Sequence, residues 1–115
     1  MPRAKGGYKT RRRRNKILAL AKGFRGRGKN VYNIARPMAE RALHYAYRDR
    51  RAKKRDMRKL WIVRISAAAK ICGTSYSKFI SALKKNNIDL NRKVLSEMAI
   101  SRFDDFRSLV QQACS

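Results

Sequence analysis

The sequence predicts an all-α protein, and three observations carry that expectation. Apolar residues recur at spacings of three and four through the second half of the chain, and no segment sustains the period-two alternation of a strand. Between Pro37 and Gly73 neither proline nor glycine interrupts a run of good helix formers. The expected architecture is an extended basic N-terminal arm (1–36), one long projecting helix whose basic part covers 37–59, and a small C-terminal helical globule (60–115).

The arm is defined by what it lacks. Residues 1–29 hold 12 basic side chains, no acidic one and five glycines, with Ile17, Leu18 and Leu20 as the main aliphatic material. Such a segment, taken alone, buries too little surface to offset the entropy of ordering and is expected to be largely disordered. The stretch RRRRNKILALAK can still form a short helix with a weakly apolar side at Ile17, Leu18 and Leu20. Gly23, Gly26 and Gly28 then break it and permit close backbone approach to a partner.

Pro37 suits the first turn of a helix, where its missing N–H costs nothing, whereas in mid-helix it would kink the chain, so the long helix is expected to begin there or to bend there. The run MAERALHYAYRDRRAKKRDMRKLWIVRISAAAKIC would extend for roughly 50 Å if continuously helical, more than a small domain requires. Its amphipathic pattern lapses between Arg48 and Lys59, where 8 of 12 residues are basic. A helix polar on all sides is unstable unless something polar surrounds it. From Leu60 an apolar face is expected through Leu60, Val63, Ala67 and Ile71, with Trp61 as a core anchor.

The globule reads as three short helices. Gly73 ends the long helix and Thr74 or Ser75 caps the next, whose apolar face is Tyr76, Phe79, Ile80 and Leu83. Asn86 and Asn87 close it. Asn91 offers a cap to a helix bearing Val94, Leu95 and Met98, and Ser101 with Asp104 resembles a capping box ahead of Phe106, Leu109, Val110 and Ala113. About 55 residues make a core that is marginal by size.

Charge narrows the function. Lys and Arg number 31 against seven Asp and Glu, a net +24, and residues 1–60 carry +19 of it. Self-repulsion on this scale calls for a polyanionic partner. Cys72 and Cys114 have neither CxxC spacing nor a nearby His, so both are expected to be free thiols and no metal or cofactor is implied. No apolar run reaches the length of a membrane span, and the Arg-rich start lacks both a signal-peptide core and the Ser-rich stretch of a transit peptide, so mature protein is expected. No paired carboxylates, phosphate-binding glycine loop or metal-ligand cluster appears, which leaves an enzyme without its chemistry. The single histidine, His44, reads as a packing residue.

The candidate RNA-binding side chains are the cations of the two basic segments. In the arm they are Arg3, Lys5, Lys9, Arg11, Arg12, Arg13, Arg14, Lys16, Lys22, Arg25, Arg27 and Lys29. In the long helix they are Arg48, Arg50, Arg51, Lys53, Lys54, Arg55, Arg58 and Lys59. Arginine offers phosphate a planar fork of donors and stacks on bases, and lysine adds a mobile charge, so a mixed block suits irregular RNA. A solvated face balanced by ion pairs is the alternative, with Asp49 set to pair Lys53 and Asp56 to pair Lys59, but two acids cannot balance eight bases. A short run such as Arg11–Arg14 also occurs in nuclear-localisation, calmodulin-target and membrane-surface segments, although here basic residues extend over half the chain. Tyr8, Phe24, Tyr32, Tyr45 and Tyr47 are interleaved with the cations and suit stacking on unpaired bases. Tyr45 and Tyr47 are equally suited to packing back on Leu43.

The stretch YRDRRAKKRDMRKLWIVRISAAAK, followed by GTSYSKFISALKKNNIDLNRKVLSEMA, resembles large-subunit ribosomal protein number twenty of bacteria and their organelles. The N-terminal RRRRNKILALAKGFRGRGKN is similar to that family's extension, so the likeness covers essentially the whole chain. Met57 stands where the family pattern leads one to expect an aromatic residue, and Pro37 lies where relatives are expected to be helical. The resemblance implies a basic arm threaded between RNA helices, a long helix, a small globule, and direct binding to large-subunit ribosomal RNA early in assembly. In some bacteria relatives also repress their own operon through messenger RNA. The implied partners are large-subunit ribosomal RNA and neighbouring ribosomal proteins, with no membrane, no small-molecule substrate and no homo-oligomer. The implied location is the cytoplasmic ribosome of a bacterium, or an organellar ribosome. A DNA-compacting architectural protein is the alternative from another class, and an RNA-directed enzyme comes third.

Overall fold

The structure is a computed structural model and describes residues 2–114. Its elements are α1 (Tyr8–Leu20), a 3-10 turn (Gly26–Lys29), α2 (Tyr32–Ile71), α3 (Tyr76–Lys85), α4 (Arg92–Ser101) and α5 (Phe103–Cys114). No strand occurs among the described residues, and the all-α class stands. Two compact units divide after Arg51, inside α2.

In the first unit α1 is not left bare. Ala21, just past its end, is fully buried with Ala35 and Ala39 of α2, and Ile17, Leu18 and Phe24 pack around them. Alanines let the backbones come close, and Gly28 extends that approach: a Cβ there would stand 2.7 Å from the Met38 sulfur. Of the three glycines only Gly28 has a close neighbour, and that neighbour is Met38 of α2; a Cβ at Gly23 or Gly26 would meet nothing within 4 Å.

The long helix begins at Tyr32, so Pro37 is an interior residue and not the start. The N–H groups of Ile34 and Ala35 donate to the Val31 carbonyl at 3.1 and 2.8 Å, which initiates the helix upstream of the proline. Pro37 deprives only the Asn33 carbonyl of its partner. Both residues are exposed, so the site is open to solvent.

In the second unit α2 buries a different face from the one expected. Ile65, Ala68 and Ala69 are buried and Cys72 packs against them, whereas Val63 and Ile71 are 65% and 69% exposed and Leu60 and Ala67 also face solvent. The helix is apolar on two sides, and spacing alone does not say which side meets α3 to α5. Trp61 is half-buried and stands outside the group packed on the core. The core itself joins Ile65 to Phe79, Leu83, Leu95, Phe106 and Val110, with the Phe79 and Phe106 rings tilted at a centroid distance of 5.3 Å. Replacing Ile65 with Ala should lower the unfolding free energy of the whole protein by about 2–5 kcal/mol. Val63→Ala should change it by no more than about 0.5 kcal/mol. Denaturant melts of the two variants check this, and the reverse ranking would return the core to the Val63 face.

The helix ends follow local chemistry. Gly73, at φ 79°, gives its N–H to the Lys70 carbonyl and Thr74 gives its own to Ala69, a closure that needs the left-handed conformation glycine adopts freely. Asn87, at φ 53°, repeats it after α3, where Ile88 N–H reaches the Leu83 carbonyl at 3.0 Å. Ser75 accepts from Lys78 N–H, and Asn91 accepts from Val94 N–H at 2.9 Å, as N-caps. The capping box expected at Ser101 is not formed. Ser101 still belongs to α4, and Arg102 takes the non-helical conformation between α4 and α5. Asp104 and Asp105 instead place negative charge in the first turn of α5.

Candidate nucleic-acid interface

Successive residues of an α-helix step by about 100° around its axis. Arg11, Arg12, Arg13 and Arg14 therefore fan out around α1 instead of lining one face. Arg14 turns to the protein, its guanidinium 5.2 Å from the Tyr32 ring centre. The same stepping distributes Arg48 to Lys59 around α2. Every one of the twenty cations singled out in the sequence, from Arg3 to Lys59, is exposed.

Acids compensate little of this charge. Asp49 pairs with its neighbour Arg48 (Nε–Oδ1 2.8 Å) and not with Lys53, because the short aspartate reaches the adjacent guanidinium first. Asp56 and Lys59 do approach each other, at 3.9 Å. The hydrogen bond and the negative charge of Asp49 raise the Arg48 pKa, and Glu40 does the same for Arg36. Both guanidinium groups hold their protons more firmly than usual. Among the described residues Arg50, Arg51, Lys53, Lys54, Arg55 and Arg58 enter no ion pair, so the block presents six cations that no acid compensates, of which Arg51 alone is held by a neutral partner, Tyr47. Arg36 and Arg41, exposed on α2, escaped the sequence reading because they stand singly and not in a run.

Two tyrosines join this surface. Tyr45 and Tyr47 are 50% and 56% exposed and belong to neither core cluster. Arg48 lies over the Tyr45 ring and Arg51 over the Tyr47 ring, each at 4.6 Å, and Arg51 also donates to the Tyr47 hydroxyl at 2.7 Å. In the second unit an open groove beside α3 and α5 carries Lys78, Lys85, Ser77, Ser81 and Asn86. Cys72 and Cys114, both free thiols, edge that groove, and no cluster of metal-ligating side chains occurs among the described residues. No helix among them is long and apolar enough to cross a membrane.

Among the described residues no strand occurs and uncompensated cations stand around the helices, an arrangement found in the class of basic proteins that hold nucleic acid by charge and shape. Comparison makes the class specific. The profile described as ribosomal protein L20 matches residues 3–109. Relatives named large ribosomal subunit protein bL20 include one from Leptothrix cholodnii, 59% identical over 97% of this chain and 95% of its own length. Another, from Anaeromyxobacter dehalogenans, is 54% identical over 96% of this chain and 97% of its own. That of Wolbachia pipientis subsp. Culex pipiens is 53% identical over the whole of this chain and 95% of its own. The chain belongs to the ribosomal protein L20 family, and so to the structural components of the large ribosomal subunit, not to the enzymes.

Proposed function

We propose that the protein binds large-subunit ribosomal RNA directly and organises it during early assembly of the subunit, in the cytoplasmic ribosome of a bacterium like those of its relatives. The observation that carries this reading is the six cations from Arg50 to Arg58 that no acid among the described residues compensates. RNA phosphates repel one another, and a helix charged on all sides lowers that repulsion for every strand that approaches it. Phosphate contacts then position the protein, and the shape of the folded RNA supplies most of the specificity. The side chains proposed for these contacts are the exposed cations of α1, of the 3-10 turn and of the Arg48–Lys59 block, while the globule of α3 to α5 fixes one RNA junction.

Sedimentation of a cell extract tests the proposal. The protein should travel with large subunits, and ribonuclease should release it. Continued association with ribosomal proteins after complete RNA digestion would show that protein contacts hold it.

A further inference from the structure

Charge alone explains the cations of α2 but not the two tyrosines set among them. We infer that Tyr45–Arg48 and Tyr47–Arg51 are preassembled platforms, each of which stacks one unpaired nucleobase of the RNA; this inference rests on the function proposed above.

Three observations carry it. First, both tyrosines stay about half exposed outside either core cluster, with only their own arginine laid over the ring, so ring surface is left to solvent. An exposed π-face beside cations is the surface on which a base, itself flat and attached to a phosphate, finds both of its requirements. Second, the arginines are already in place. Each guanidinium sits 4.6 Å from its ring centre, and the 2.7 Å bond from Arg51 to the Tyr47 hydroxyl fixes the orientation of one of them. A guanidinium held by its own tyrosine loses less freedom when a base or phosphate arrives, so more of the contact energy appears as affinity. Third, Tyr45 and Arg48 edge an open recess whose other walls are Pro37, Glu40, Arg41 and His44. A base resting on Tyr45 would therefore have the polar ends of Arg41 and His44 within reach of its edge.

The spacing adds a consequence. Two residues along a helix are about 200° apart around the axis, so the two rings point to nearly opposite sides. They engage bases from different RNA segments, and α2 joins those segments by stacking as well as by charge.

The test compares two double variants of the full chain, Tyr45→Leu with Tyr47→Leu, and Tyr45→Phe with Tyr47→Phe, on a large-subunit ribosomal RNA transcript across a salt series. Leucine and phenylalanine keep the helix, which circular dichroism verifies. The leucine pair should bind about 100-fold more weakly, roughly tenfold per lost base stack, with the salt slope of the wild type. The phenylalanine pair, which keeps both faces, should stay within about threefold of wild type. The inference is overturned if the leucine pair binds like wild type, if the phenylalanine pair is as weak as the leucine pair, or if the leucine pair's slope is shallower by one or more. Those results would assign the rings to no contact, to hydroxyl-mediated orientation, or to holding phosphate-binding arginines. A shallow slope in the wild type would instead defeat the function on which the inference rests, whatever the tyrosine variants do.

Discussion

Replacing Arg50, Lys53, Lys54, Arg55 and Arg58 together with Gln should leave the fold intact and lower the affinity for ribosomal RNA by about 10³ at 0.15 M salt. The magnitude follows from counterion release. Each neutralised phosphate contributes a slope of ~0.7 in log affinity against log salt, which at 0.15 M is worth about 0.6 decades relative to 1 M, and five contacts sum to roughly three decades. The fold should survive because none of the five side chains enters an ion pair or a core cluster, and glutamine keeps good helix propensity. Removing five like charges should if anything raise the midpoint of thermal unfolding slightly. The set omits Arg48 and Arg51, which the structure engages with Asp49, Tyr45 and Tyr47, so its effect is separable from that of the tyrosine platforms. Binding assays and melts on the same preparation decide the matter. A variant that kept its affinity and lost its helix would make these cations structural.

The helices of the second unit were legible in the sequence because their signals are local. Ser75, Asn91, Gly73 and Asn86–Asn87 act within one turn of the backbone they close, and Phe79 and Leu83 lie on a face with a single apolar side. The buried face of α2 was not legible. Between Leu60 and Cys72 apolar residues occupy opposite sides of the helix, and only the tertiary partners decide that Ile65 goes inside while Val63 stays out. The start of α2 was missed for a related reason. A proline is a strong local signal, but its cost depends on whether the orphaned carbonyl can reach water, which at exposed Asn33 it can. The first 29 residues have little apolar content; what packs α1 on α2 is a row of small residues, Ala21, Ala35 and Ala39, whose contribution is closeness and not bulk.

The candidate interface was more readable than the fold, since charge that exceeds every available acid must stay outside. Composition alone therefore places Arg50 to Arg58 on the surface. It cannot pair Asp49 with Arg48 in preference to Lys53, nor set Arg51 against the Tyr47 hydroxyl, because those choices turn on side-chain reach within one helical turn.

A protein that holds RNA by neutralising many phosphates at once shows their number in the salt dependence of its binding. If ten phosphates are engaged, log affinity for a ribosomal RNA transcript should fall against log salt with a slope of about −7, taking the ~0.7 coefficient for single strands. Between 50 and 200 mM salt the affinity should then drop by about 10⁴. The twenty exposed cations singled out above, from Arg3 to Lys59, are numerous enough to supply such a slope even if only half of them reach a phosphate. Titrations of the intact protein at four or more salt concentrations give the value directly. A slope near −7 is expected of many phosphates neutralised together, and a slope of about −1, the mark of a single ionic contact, would rule that mode of binding out for a chain of net charge +24.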